Sequence, residues 1–463
     1  MISKKPLFWH QGLFLQPQHF QYMDTYVQSL LSPLLEYQHP FFWGVITQEI
    51  NEAALKNRTF ELIGGEFLFR DGTAVAVPAN SIVQPRSFAE TWVEGERPFT
   101  VYLGLRRFAR NTQNVTVVKR LDDVSDVNTR FAATEESEEM MDMYKTGPAA
   151  QVRRLTYVLK IFWENEVDKL SNYHLIPLAM LERDGTDIKL SRNFIPPAVA
   201  VSGSDELTRM LKDIRDQVTA RCHQLEEYKS PREIQSTEFE PGYMIYLLAL
   251  RSLNRFVPLL FHLTETSNVH PWTYYGVLRQ IIGELSTFSD QISATGELYD
   301  GTTVLPTYDH EKLWPCFSAA HDLIGGLLNR LIIGPEHIIR LKRDGAYFNG
   351  EISANAFDRR NVFYLVVRTK DDPQSVPQTI MTIAKLSSTE HIGTIISRAL
   401  HGLPLEESKV PPPGLPRRSD AFYFKIDHES SQWDDVRLSQ NISLYWDTES
   451  EDAMAEIVVL RGM

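Results

Sequence analysis

Apolar and polar positions along the chain change rhythm three times. The N-terminal stretch Phe8-Trp9-His10-Gln11-Gly12-Leu13-Phe14-Leu15-Gln16-Pro17-Gln18-His19-Phe20-Gln21 crowds large apolar groups into a region where most chains fray. Each such group stabilises by about 1.5 to 3 kcal/mol when buried, whereas fixing each backbone residue costs about 1 to 2 kcal/mol, so the segment orders only by lying against other protein surface. Gly12 frees the backbone to bend, and Pro17 suits the first turn of an amphipathic helix through Phe20, Met23, Tyr26, Val27, Leu30 and Leu31. A period of two follows. Runs 66–70 and 73–77 flank Asp71-Gly72 as a hairpin, and further strand-like runs occupy 99–108, 114–119, 155–163 and 174–181, the last turning at Asp184-Gly185 into 187–190. Many strands with few helical patterns imply a β-sandwich-like domain over 1–196, with the acidic piece 134–143 as a solvated loop or short helix inside it.

Pro196-Pro197 ends that pattern, because two prolines block both helix and central strand. Ser204 or Asp205 caps a helix to about 228, with Leu207, Met210, Leu211, Ile214, Val218 and Leu225 on one face. Further helices are predicted over about 241–266, 270–289 and 310–332, and four apolar stripes make a four-helix bundle over 197–333. Run 248–260 is apolar on so many sides that it belongs at the bundle centre, and Gly325 and Gly326 permit close helix approach or record a kink. From 334 the period of two returns, with a hairpin through Asp344-Gly345, a strand over 361–367, helical pieces near 374–385 and 389–399, a stiff proline run at 410–416, and closing strands at 422–426, 442–446 and 456–460 beside a helix over 429–438. This is an α+β domain over 334–463, and the whole chain reads as multidomain α+β.

Composition narrows the function. A chain of 463 residues with a formal net charge of -13 lacks the clustered cations that nucleic acid requires. Its two cysteines, Cys222 and Cys316, form no CxxC pair and are expected as buried thiols, pointing to a reducing, cytoplasmic setting. Polar residues break the N-terminal apolar run before it resembles a signal peptide, and runs 244–250 and 256–263 are too short or interrupted to span a bilayer, so membrane contact is expected only through partners.

No chemistry surfaces. Neither a Walker loop nor GxGxxG is present, and His310-Glu311-Lys312-Leu313-Trp314 opens like a zincin helix but carries Trp314 where the second histidine belongs. No GxSxG elbow occurs, and the adjacent carboxylate pairs Asp122-Asp123, Asp371-Asp372 and Asp434-Asp435 point apart, as in turns. His10 and His19 have no Cys or acidic company and are expected as hydrogen-bonded histidines; Trp43, Trp163 and Trp272 are expected in the core. Catalytic residues, cofactors and metal ligands are therefore expected to be none.

The opening stretch resembles the N-terminal signature of the TssK family, trimeric baseplate components of type VI secretion systems. Further similar pieces are 248–260, His270-Pro271, Gly283-Glu284-Leu285-Ser286-Thr287-Phe288, Pro306-Thr307-Tyr308-Asp309-His310, and Pro412-Pro413-Gly414-Leu415-Pro416 followed by Phe422-Tyr423-Phe424, so the likeness runs nearly the full chain. Gln11 stands where that family often has Glu, and Phe14 replaces another apolar residue; neither disturbs the docking logic. The resemblance implies a homotrimer with an N-terminal shoulder similar to that of phage receptor-binding proteins, a helical neck and a C-terminal head. It also implies that the shoulder end engages the TssF and TssG wedge, and that the head meets cytoplasmic parts of TssL and TssM at the inner membrane. Trp9, Gly12, Leu13, Phe14, Leu15, Pro17, His19, Phe20 and Gln21 are the expected partner-binding residues. Two placements fit this leader, on a partner or on the chain's own β domain. A phage-tail-type receptor-binding protein, or a hydrolase with an unfamiliar site, are the other functional readings.

Overall fold

The computed structural model describes residues 4–37, 39–89, 97–185, 187–226, 241–331, 337–358, 360–369, 371–372, 375–408, 421–450 and 452–461. They form two compact units: 1–218 with 256–327, and 219–255 with 328–463. The proline run at 410–416 lies outside the described residues.

The first unit opens with the helix Pro17–Tyr37 and continues into a β-sandwich. One sheet holds Gly44–Ile50, Leu62–Leu68 and Ala74–Val77, joined antiparallel with Leu68 opposite Ala74 across the predicted Asp71-Gly72 turn. Gly72 takes φ +82° there, the left-handed conformation glycine adopts without a Cβ penalty. The second sheet has seven strands, with Phe99–Arg106 between Thr156–Trp163 and Tyr173–Asp184. Val45, Phe67 and Val75 of the first sheet meet Val101, Leu103 and Ile176 of the second in one core. Trp163 sits in this core as expected, with Phe88 and Phe99 edge-on to its ring.

Two sequence readings need correction here. The acidic piece 134–143 is not a loop or helix throughout: it is exposed as expected, but Glu138–Met140 within it is a strand paired with Ala150–Val152. Pro196-Pro197 is not a clean break either: the Val45 N–H donates to the Pro197 carbonyl at 2.8 Å, and Val199 donates back to Val45 at 2.9 Å. The double proline thus extends the sandwich edge before the chain turns helical.

All four long helices are present, at Asp205–Glu226, Pro241–Thr264, Pro271–Leu285 and Leu313–Arg330. Within the first unit, Arg215 on the first of these bonds Thr264 on the second at 3.1 Å and lies over the Phe261 ring, while His321 on the fourth reaches Asp213 at 2.6 Å. Tyr275 and Phe317 join the third and fourth helices, with ring centroids 5.4 Å apart. Gly325 faces Gln217: a Cβ there would come within 3.3 Å of its amide oxygen, so the close-approach reading holds for Gly325, whereas Gly326 faces open space. The helix Pro241–Thr264 departs from expectation. It buries Leu250, Leu253, Phe256 and Leu260 but exposes Met244, Ile245, Leu248 and Phe261, so it is amphipathic rather than central. Taken whole, Met244–Thr264 is long and apolar enough by length and composition to cross a membrane, which its separate short runs had not suggested.

The second unit is built on an eight-stranded antiparallel sheet in the order Lys385–Ser387, Asn441–Tyr445, Tyr347–Glu351, His337–Asp344, Met454–Arg461, Asn361–Arg368, Ala421–Ile426, Leu405–Ser408. Helices Ser375–Thr382 and Ser431–Ser439 contribute Val376, Ile380, Trp433 and Val436 to its core, against Phe363, Phe424, Leu444 and Ile457. The hairpin through Asp344-Gly345 forms as read, with Gly345 at φ +62°.

Candidate docking surface

The leader folds back against the helix that follows it. The chain turns at Gln11-Gly12, where Leu13 N–H donates to the His10 carbonyl at 3.2 Å. Gly12 takes φ +86° with open space where a side chain would be. Pro17 begins the helix, and the His19 ring accepts from the Gln16 N–H at 3.1 Å. The ring thereby satisfies an otherwise orphaned helix-start donor, which is the reciprocal half of a capping box. The segment before the turn runs back along the helix, and the Tyr22 hydroxyl donates to the Lys5 carbonyl at 2.8 Å.

This arrangement brings the expected docking residues together on one short stretch and leaves most of them in solvent. Trp9 is 48% exposed, Phe14 79%, and neighbouring Phe8 82%; Leu15, Phe20 and Gln21 are exposed as well. Leu13 and His19 are half-buried. Single exposed apolar groups are ordinary, but a contiguous run of them rimmed by Gln11, Gln16, Gln18 and Gln21 is the composition of a docking surface.

Sequence reading missed how the segment after this helix, 39–43, is fastened. Three imidazoles lie in a row: the His39 ring is 4.2 Å from His270, tilted by 31°, and His270 stacks on His310 at 5.5 Å with an interplanar angle of 8°. The His270 Nε2 donates to the Phe41 carbonyl at 3.2 Å, and its Nδ1 accepts from Trp272 N–H at 3.1 Å, capping the helix Pro271–Leu285. The His310 Nε2 donates to the Trp43 carbonyl at 2.8 Å, and its Nδ1 pairs with the Tyr308 hydroxyl at 2.8 Å. A carbonyl can only accept, so Nε2 carries a proton in both rings, and at His270 the Trp272 N–H donating to Nδ1 makes the ring neutral. Burial pushes His270 down to about 4, helped by the neighbouring His39 and His310, and pushes His310 down to about 4, helped by Arg70. Trp43 is half-buried beside His310 with the Arg70 guanidinium 3.9 Å above its ring, and Trp272, expected in the core, is partly exposed against Phe41 and Tyr308. The cluster joins residues more than 200 positions apart; its only sequence trace is the pair of family-like landmarks His270-Pro271 and Tyr308-Asp309-His310.

A cleft of about 790 Å³ also opens in the first unit, lined among others by Arg70, Tyr102, Arg107, His174, Lys312 and Trp314. Its charges are mostly engaged: Arg70 pairs with Glu311, and behind the cleft Asp71 is held by Arg130 at 3.0 Å and His174 at 3.4 Å. Burial raises the Asp71 carboxyl, but Arg130, hydrogen bonds from Thr73 and His174 outweigh it and hold the group below its usual range. Cys222 and Cys316 are buried free thiols, and burial raises the latter. Among the described residues no group of three or more His, Cys, Asp or Glu is placed to hold a metal ion.

Comparison with known proteins gives a consistent set of likenesses. The profile of a family described as bacterial type VI secretion, EvfL, ImpJ and VasE matches residues 19–460. The type VI secretion system baseplate component TssK1 of Pseudomonas aeruginosa is 24% identical over 451 residues, covering 94% of each chain. A crystal structure of TssK matches 99% of this chain and 100% of its own at 20% identity, with a TM-score of 0.61. A cryo-electron microscopy structure of a TssK-TssF-TssG baseplate subcomplex contains a chain that matches 71% of this one and 100% of its own, at 21% identity and a TM-score of 0.58.

Proposed function

This chain belongs to the bacterial type VI secretion family of EvfL, ImpJ and VasE, and on that premise we propose that it is a structural, non-enzymatic component of a type VI secretion baseplate. The likeness to TssK1 supports this over nearly the whole length of both chains, and it favours the baseplate over a phage-type receptor-binding protein. The observation that carries the mechanism is the leader, an ordered segment that keeps Phe8, Trp9, Phe14 and Leu15 in solvent when the chain is alone. Its partners are proteins of the TssF and TssG type, since the fold is similar to the chain found with them in a baseplate subcomplex. In this reading the protein works as a homotrimer on the cytoplasmic side of the inner membrane. The three-part division at 196 and 333 assigns the wedge to the N-terminal shoulder, the link between ends to the helical neck, and contact with TssL and TssM to the C-terminal head.

Mechanistically the function is adhesion by burial. Trp9, Phe14 and Leu15 already lie on a formed turn and helix start, so a partner that covers them gains apolar burial without ordering the whole leader. Aromatic anchors of this kind dominate interface energies. The test is recruitment: the full chain carrying Trp9→Ala with Phe14→Ala is expected to keep its oligomeric mass and fold, and to lose co-purification of TssF and TssG. Undiminished recovery of both at equal yield refutes the docking role.

A further inference from the structure

The outer face of the seven-stranded sheet is not bare. On the strand Phe99–Arg106, Val101, Leu103 and Leu105 join the sandwich core, which leaves Thr100 and Tyr102 on the other side. Tyr102 pairs across to Pro177 on Tyr173–Asp184, where a bulge follows between Pro177 and Ala179. A bulge breaks the regular alternation and re-aims side chains, a device common beside functional sites. Together with this face, the segment 311–315 at the start of the helix Leu313–Arg330 lines the cleft of about 790 Å³, so the whole cleft belongs to the first unit. Small-molecule sites run from about 300 to 1,000 Å³, and this cleft falls within that range.

Its lining stands apart from a chain of net charge -13. Arg70 and Glu311 neutralise each other, but Arg107 and Lys312 make no ion pair among the described residues. The Arg107 Nε donates to the Tyr173 carbonyl at 3.3 Å, which holds the guanidinium in place and leaves the rest of its fork for another acceptor. Burial lowers the His174 pKa, and Arg107, Arg130 and Arg70 lower it further against the pull of Asp71, so this wall of the cleft is electropositive. Trp314 lines the same cleft half-buried, with no aromatic ring against its own and no bond to its indole N–H among the described residues.

We propose that this cleft binds a purine nucleoside monophosphate or a molecule of that build, with Arg107 and Lys312 on the phosphate and Trp314 on the ring. The charges match, because a phosphomonoester carries about -1.5 to -2 at pH 7 and meets two cations that lack a partner. A guanidinium fork suits phosphate oxygens, and an indole face suits a purine. Asp168, exposed and without a cation of its own among the described residues, is left to accept from the hydroxyl groups that a sugar places between ring and phosphate. A bare phosphate gains nothing from Asp168 and is repelled by it. No glycine-rich loop announces the site, because its groups come from separate stretches between 70 and 315.

The test is isothermal titration of the full chain purified alone, with adenosine and guanosine monophosphates, the two nucleosides and inorganic phosphate as probes. At least one nucleotide is expected to bind with a Kd of about 1 mM or below, and its nucleoside and phosphate alone about tenfold more weakly or not at all. Arg107→Gln with Lys312→Gln is expected to weaken nucleotide binding about tenfold at an unchanged melting curve, and Lys312→Gln alone, on an exposed side chain, to weaken it in the same direction. Trp314→Leu is expected to weaken the nucleotide and leave phosphate unaffected. Absence of binding by both nucleotides at about 5 mM overturns the site. Phosphate binding as tightly as the nucleotide overturns the role of the ring, and nucleotide binding that survives both cation variants puts the ligand elsewhere and overturns the proposal as well. Neither TssF nor TssG enters the readout, so the outcome is independent of the docking role.

Discussion

The stacked histidines make stability depend on acid in a defined window. In the unfolded chain both rings titrate near 6.5; in the folded chain His270 and His310, each less than 5% exposed, stay neutral down to about 4. A group whose folded pKa is depressed releases its proton on folding, so stability is complete above 6.5 and falls as pH drops toward 4. At pH 5 the unfolded state gains roughly 2 kcal/mol per ring, or about 4 kcal/mol for the pair, relative to pH 7.5. His321 works in the opposite sense: burial pulls its pKa down, but hydrogen bonds to Asp213 and Asp322 raise it above the usual value, so it favours folding as pH falls. The comparison is therefore between proteins. Urea unfolding followed by tryptophan fluorescence is run at pH 7.5 and 5.0 for the parent and for His270→Asn with His310→Gln. The variant is expected to be weaker at pH 7.5, because it loses the stack, yet to lose about 4 kcal/mol less between the two pH values. Equal losses, within about 1 kcal/mol, refute the idea that the two rings are held neutral.

Other substitutions test the packing of the β-sandwich. Gly44 sits at φ +125° with the Pro197 carbonyl oxygen 2.3 Å from where a Cβ would be, so Gly44→Ala is expected to lower the unfolding free energy by about 2 kcal/mol or more, measured in urea. Arg130 is buried against Asp71, Thr73 and the Arg106 carbonyl, so Arg130→Ala removes the main partner of Asp71 and is expected to cost about 1 to 3 kcal/mol at pH 7. Part of that cost is expected to vanish when Asp71→Asn is added, which a double-mutant cycle reads directly.

Local patterns were legible where local physics decides. The Asp-Gly hairpins at 71–72, 184–185 and 344–345 formed because glycine supplies the left-handed turn that the strands require, and the four long helices formed because each carries its own apolar stripe. The strand Gly44–Ile50 was missed because its partner at one edge is the double proline segment, 150 residues downstream in the chain. The acidic run hid a strand, since five carboxylates within 135–142 speak of solvent and the hairpin that holds them is set by pairing with 150–152. At the candidate docking surface, the sequence marked by apolarity residues such as Trp9, Phe14, Leu15 and Phe20, which stay exposed in the chain alone. It said nothing of the histidine row, because that depends on which distant segments meet.

That histidine row also sets how the protein bears traction. A partner that gripped the leader would pull on Phe41 and Trp43, whose carbonyls are tied to rings standing at the starts of Pro271–Leu285 and Leu313–Arg330. Tension therefore enters the body at two helix starts in parallel instead of unzipping the sandwich one strand bond at a time, and slippage under load begins at those two carbonyls.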